Sequence, residues 1–163
     1  MNDHGSREAT LERLRDLQYA YASALDRRDP AALREVFHPD AVLRVFAPDA
    51  DKPRTHLRGH DQLVRTVDGL RERYARTLHV VTNPTAEILA PGAATGRAYG
   101  VSHHLLRGGD RPGKFVVYLV YEDEFRLGAG GNWRIGRRDV RFLWAEEAPV
   151  LPWDEARVRG GLG

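Results

Sequence analysis

The chain has 163 residues, a formal net charge of +2, 42% hydrophobic and 29% charged residues, and no cysteine; this is the length and balance of one globular domain with a real core. The missing cysteines exclude disulfides, thiolate catalysis and cysteine-ligated zinc. No dense Lys/Arg run interleaved with aromatic residues is present, so nucleic acid is not an expected partner.

The opening Met1-Asn2-Asp3-His4-Gly5-Ser6 is polar and lacks the apolar core of a secretion signal, and no later apolar run is long enough to span a bilayer. A cytoplasmic protein without membrane contact is expected. In residues 11–25, Leu11, Leu14, Leu17, Tyr21 and Leu25 recur with a helical period, which predicts an amphipathic helix running out at Asp26-Arg27-Arg28. Asp29-Pro30 pairs an N-cap with a proline at the first helical position and opens a short second helix through Val36 and Phe37. His38-Pro39-Asp40 breaks it, and residues 41–46 read as a strand. Residues 47–58 are polar, with two prolines, and are expected to form a loop. Gly59-His60-Asp61 leads into a third helix with its stripe at Leu63, Val64, Val67 and Leu70, ending near Tyr74.

Strand character follows Arg76. Segments 77–83 and 85–90 run to the turn at Pro91-Gly92, 95–107 to Gly108-Gly109-Asp110, and 114–127 to the glycine-rich turn before 132–144. The tail, 146–163, reads as an irregular arm anchored at most by Leu151 and Trp153, leaving residues 1–145 as the domain. The pattern is α+β, with helices on one face of a curved, largely antiparallel sheet. A concave sheet closed by helices encloses a cavity, the default binding site of a small domain.

Period-two alternation puts His79, Val81 and Asn83 on one face of their strand, with Leu78, Val80 and Thr82 on the other. Asp26 sits at a helix C-terminus, where the helix dipole disfavours a negative charge, so local helix stability does not account for it. A turn aspartate and a core histidine bonded to a carbonyl are the plain readings. Together the two are also the minimal general-base apparatus: the carboxylate orients the imidazole, and the free ring nitrogen takes a proton near neutral pH. Asp40 reads as capping the turn into the first strand. His38 and His60 read as solvated, and Trp133, Trp144 and Trp153 as packing residues. No His-x-x-x-His or carboxylate spacing supports a metal, and no glycine-rich loop joins a strand to a helix, so neither metal nor nucleotide cofactor is expected.

Five blocks carry a family resemblance. They are Tyr19-Ala20-Tyr21-Ala22-Ser23-Ala24-Leu25-Asp26-Arg27-Arg28-Asp29, Phe37-His38-Pro39-Asp40-Ala41-Val42-Leu43, Gly59-His60-Asp61, Thr77-Leu78-His79-Val80-Val81-Thr82-Asn83 and Asn132-Trp133-Arg134-Ile135-Gly136-Arg137-Arg138. In order and spacing they resemble the SnoaL-like family of the superfamily named for nuclear transport factor two. The resemblance implies a cone-shaped α+β barrel, with three N-terminal helices packed on a strongly curved mixed or antiparallel sheet. Within the family the pattern is most similar to the scytalone dehydratases and the hexachlorocyclohexane dehydrochlorinases, which eliminate a small leaving group from a ring without a cofactor. It implies an Asp26–His79 dyad, a cavity arginine at Arg138, and pocket positions at Val140, Phe142 and Trp144. A second histidine falls on His103 or His104. Two positions depart from those enzymes: Leu25 replaces the dehydratase tyrosine, and Tyr21, able to bond a substrate oxygen, replaces the dehydrochlorinase lysine.

The expected function is a cofactor-independent lyase, isomerase or cyclase for a small cyclic or polyketide-like substrate, elimination being favoured. The alternative is a non-catalytic ligand-binding module, or a structural one like the β subunits of ring-hydroxylating dioxygenases. A homo-oligomer is expected, a trimer before a dimer, because the outer sheet face would carry Phe115, Val117 and Leu119 or their alternates.

Overall fold

The computed structural model describes residues 3–107 and 113–150. Helix α1 (Asp3–Asp26) is followed by α2 (Pro30–Val36), β1 (Phe37–Phe46), β2 (Thr55–Arg58), α3 (His60–Leu63) and α4 (Arg65–Arg73). Four long strands complete it: β3 (Tyr74–Ala90), β4 (Ala93–Leu106), β5 (Gly113–Leu127) and β6 (Trp133–Pro149). The sheet order is β2-β1-β6-β5-β4-β3. Among the described residues only the β1–β6 pairing is parallel; the others are antiparallel. The result is the expected α+β cone, a curved mixed sheet with the helices on its concave side.

Helix α1 buries Leu14, Gln18, Tyr21 and Leu25 along one stripe, spaced by three or four residues as an amphipathic helix requires. The facing residues of β4 are small: Ala94, Gly96, Ala98, Gly100 and Ser102 alternate along its inner side. A Cβ on Gly96 would lie 2.6 Å from Gln18 Nε2, and one on Gly100 2.7 Å from Leu119 Cδ1. The absent side chains let α1 and β5 approach. Register shifts in the β3–β4 and β5–β6 pairings bend these strands, as bulges do.

Three expectations about the fold are corrected. Residues 55–58, expected within a loop, form β2, with Leu43 opposite Leu57 and Leu57 turned inward. The third helix is interrupted at Val64, where Val67 N–H donates to the Val64 carbonyl at 3.0 Å in a tightened turn. β6 runs past Trp144 to Pro149, paired with Gly113, so residues 146–149 are sheet and not arm. Phe115, Val117 and Leu119 line the concave side, and their alternates take the opposite face. Leu151, Trp153 and the Gly108-Gly109-Asp110 turn lie outside the described residues.

Candidate active site

Asp26 is the last residue of α1, and the turn after it fixes its direction. Asp29 N–H donates to the Ala24 carbonyl at 3.0 Å and Arg28 N–H to that of Leu25 at 3.1 Å, with Arg28 at φ 57°. This is the paired closure of a Schellman turn, with arginine where glycine is commoner. Asp29 then caps α2, accepting from Ala32 N–H at 2.9 Å.

On β3, Thr77, His79 and Val81 turn inward beneath that helix end. Asp26 Oδ1 accepts from His79 Nδ1 at 2.6 Å and from the Thr77 hydroxyl at 2.9 Å; Oδ2 accepts the His79 backbone N–H at 2.8 Å. An ionised carboxylate only accepts, so Nδ1 carries the proton and Nε2 keeps the free lone pair. The side chains are 6% (His79) and 22% (Asp26) exposed. Burial pushes the Asp26 carboxyl up, but the bonds from the His79 ring and amide and from Thr77 outweigh it and hold the group below its usual range.

His79 opens onto a cavity of about 510 Å³, within the usual span for small-molecule sites. Ser102, His104, Tyr21 and Tyr121 stand with it; Leu25, Leu43, Val117, Leu119, Val140 and Phe142 supply apolar wall. The His104 and His79 rings meet edge-on, centroids 5.7 Å apart. His104 Nδ1 donates to the Phe115 carbonyl at 3.2 Å, leaving its Nε2 as an acceptor. Burial, then the neighbouring His79, pushes His104 down to about 4, so it is neutral at physiological pH. Burial also raises the phenols of Tyr21 and Tyr121, keeping both as O–H groups.

The residues named from sequence divide. His79, Tyr21, His104, Val140 and Phe142 come together around the cavity, with Asp26 bonded to His79 behind it. His103 does not: it sits on the opposite face of β4, across from Leu78 and Val116. Asn83 is exposed at φ 52°, within the β3–β4 register shift, and its Oδ1 accepts from the Thr82 hydroxyl at 2.7 Å; the bulge takes it off His79's face. Trp144 is 52% exposed. The pairing passes from Leu119↔Phe142 to Tyr118↔Trp144, so Leu143 is the extra residue and Trp144 leaves the cavity face to stack on Tyr118 at 4.5 Å.

Arg138 also departs from expectation. It is fully buried and absent from the cavity wall, bidentate to Asp123 with both bonds at 2.7 Å. Its guanidinium lies 4.2 Å from the Tyr21 ring centroid and 4.5 Å from that of Tyr121. It stands behind the two tyrosines, stacked by cation–π contact. Asp40, bonded to His38 and Arg126, joins surface residues. His60 Nε2 bonds the Phe37 carbonyl at 2.9 Å.

Sequence reading missed Ser102, Tyr121, Tyr74 and the arginines Arg54, Arg65 and Arg73, all of which line the cavity. The small-residue alternation of β4 was the available signal for Ser102 and for choosing His104 over His103. Among the described residues, no cluster of three His, Cys, Asp or Glu side chains could hold a metal.

The sequence profile of the SnoaL-like domain matches residues 8–139. No curated protein matches the sequence significantly. Among solved structures, a protein of Novosphingobium aromaticivorans assigned provisionally as a scytalone dehydratase aligns with a TM-score of 0.72 at 21% identity, over 93% of this chain and 94% of that one. Hexachlorocyclohexane dehydrochlorinase LinA-type3 of Novosphingobium barchaimii aligns with a TM-score of 0.72 at 18% identity, over 90% and 94%. A provisionally assigned aromatic ring hydroxylase of N. aromaticivorans aligns with a TM-score of 0.68 at 26% identity, over 85% and 92%. At the two lower identities the likeness is one of fold.

Proposed function

The chain belongs to the SnoaL-like family, and from that premise we propose that it is a cofactor-independent lyase or isomerase acting by general-base catalysis on a small cyclic or polyketide-like substrate. The observation that carries this reading is the Asp26–His79 pair, 2.6 Å apart at the edge of a cavity of about 510 Å³. His79 Nε2 removes a proton from a carbon next to a carbonyl, and Asp26 stabilises the resulting imidazolium. Tyr21, Tyr121 and Ser102 donate hydrogen bonds to the oxygen on which negative charge develops. In an elimination, the C–H electrons form the new double bond and the leaving hydroxyl takes the proton back from His79, departing as water. No external reagent enters the balance.

Dehydration of cyclic β-hydroxy ketones, followed by mass spectrometry as loss of water, tests the reading. Replacing His79 with alanine should slow turnover by about 10²–10⁴-fold while circular dichroism remains that of the folded protein. Undiminished turnover would exclude His79 as the base, and no dehydration by the wild-type protein would favour the ligand-binding class.

We also propose that the chain forms a homo-oligomer through the convex sheet face, a trimer before a dimer. Leu78, Val80, Tyr99 and Trp144 are exposed there at 58%, 42%, 41% and 52%, and large apolar side chains gathered on one exposed face mark interfaces. Sedimentation equilibrium should give a mass above that of the monomer, and a Leu78→Glu, Trp144→Glu variant the monomer mass; a monomeric wild type would refute it.

A further inference from the structure

Resting on the reading of this cavity as the substrate site, we propose that the substrate carries an anionic group, a carboxylate or a phosphate, received at the mouth by Arg54, Arg65 and Arg73. All three line the cavity and are exposed at its rim. They converge from two directions. Arg65, Gly69 and Arg73 recur every four residues along α4, one side of the helix, which turns that side toward the cavity. Arg54 precedes β2, its N–H held by the Val45 carbonyl at 2.8 Å.

The charge of this mouth is unbalanced. No Asp or Glu lies among the described lining residues. Some exposed arginines elsewhere bond carboxylates, as Arg126 does Asp40 and Arg137 does Glu124, each at 2.7 Å, while Arg97 and Arg107 bond a hydroxyl and a carbonyl. Arg54, Arg65 and Arg73 have no carboxylate partner among the described residues. Arg73 is nevertheless positioned, its Nε donating to the Gly69 carbonyl at 3.0 Å and its guanidinium 5.6 Å from the Tyr74 ring centroid. Gly69 makes room for it, since a Cβ there would lie 3.3 Å from Arg73 Nη2. Beside them the Thr66 hydroxyl is buried without a hydrogen-bond partner in the same wall. A single exposed arginine is ordinarily just solvated. Three facing one concave space whose other described lining residues carry no carboxylate focus a positive field on it, and guanidinium forks match carboxylate and phosphate oxygens bidentately. The Asp26 carboxylate behind His79 keeps its negative charge, so three guanidinium charges stand against one carboxylate.

Calorimetric titration with three probes sharing one ring system tests this: 1-naphthoate, 1-naphthyl phosphate and neutral 1-naphthalenemethanol. At low salt at least one anionic probe should bind about tenfold or more tightly than the alcohol, and the tighter anion identifies the group. That preference should collapse to within about twofold in Arg54→Gln, Arg65→Gln, Arg73→Gln protein and in about 0.5 M NaCl, where screening is short-ranged. The lysine triple variant, which keeps the charge, should retain most of it. Equal binding of anion and alcohol, a preference that survives the glutamine substitutions, or binding of none of the probes would overturn the proposal. These titrations need no turnover. Failure of the His79 activity test would leave the preference standing, and loss of the preference would leave that test untouched.

Discussion

Asp26 holds His79 at two points rather than one, and the strand at a third: its carboxylate takes the ring Nδ1–H at 2.6 Å, the backbone N–H of the same residue at 2.8 Å, and the Thr77 hydroxyl at 2.9 Å. The helix end and the strand are thereby joined at the residue whose tautomer matters. An amide cannot accept from all three donors. Asp26→Asn should cost about 1–3 kcal/mol in urea unfolding, the cost of leaving a buried donor unpaired, and should lower turnover with it. Thr77→Val, which removes one donor and leaves the other two, should cost less on both counts. Equal losses in the two variants would contradict this division.

Acid should destabilise the fold in two steps. His104 is pushed down to about 4 from an ordinary value of 6.5, so between those values the unfolded chain binds the proton first. Stability is therefore full above pH 6.5 and declines as pH falls toward 4. Asp26, also lowered, adds a further loss below the ordinary carboxylate range. Urea midpoints measured across pH should lose the upper slope in His104→Phe protein, and keep it in His103→Phe protein, where the ring lies on the other face.

Arg138 is predicted to act on stability first. Arg138→Met leaves Asp123 charged and buried without a partner and should cost about 3–5 kcal/mol, whereas the double variant Arg138→Met, Asp123→Leu should recover much of it. The readout is the urea midpoint of the single and double variants. A free cavity arginine would behave differently, losing activity with little change in the midpoint.

Gly100 faces Leu119 and Tyr121, both of the cavity wall. An added Cβ would lie 2.7 Å from Leu119 Cδ1 and 2.8 Å from Tyr121 Cε2. Gly100→Ala should destabilise by about 1–3 kcal/mol through overpacking. Gly130→Ala, at a position with nothing within 4 Å, serves as its control, and equal unfolding midpoints for the two would contradict the packing argument.

What the sequence made legible was whatever depends on period alone. The helical stripe ending at Asp26 and the alternation from His79 to Val81 were readable because no irregularity intervenes. Where a bulge intervenes the phase inverts, and alternation then names the wrong residue, as at Asn83 and Trp144. Bulges are set by long-range pairing, which no local pattern records. Arg138 is a different failure. It shares a face with Val140 and Phe142, so its phase was right, but it lies deeper in the cone, where Asp123 and two tyrosines enclose it. The rim arginines were invisible for a third reason: in a chain this rich in arginine, only the folded arrangement separates those paired with carboxylates from those facing the cavity.

The central claim is that His79, oriented by Asp26, removes a carbon-bound proton inside this cavity. Deuterium wash-in at the α-carbon of 2-tetralone in D2O tests it most directly, because exchange needs a base but no leaving group. The wild-type protein should accelerate exchange over buffer, and folded His79→Ala protein should lose about 10²–10⁴-fold of that acceleration. Exchange that proceeds equally fast in the alanine variant would contradict the assignment of His79 as the base.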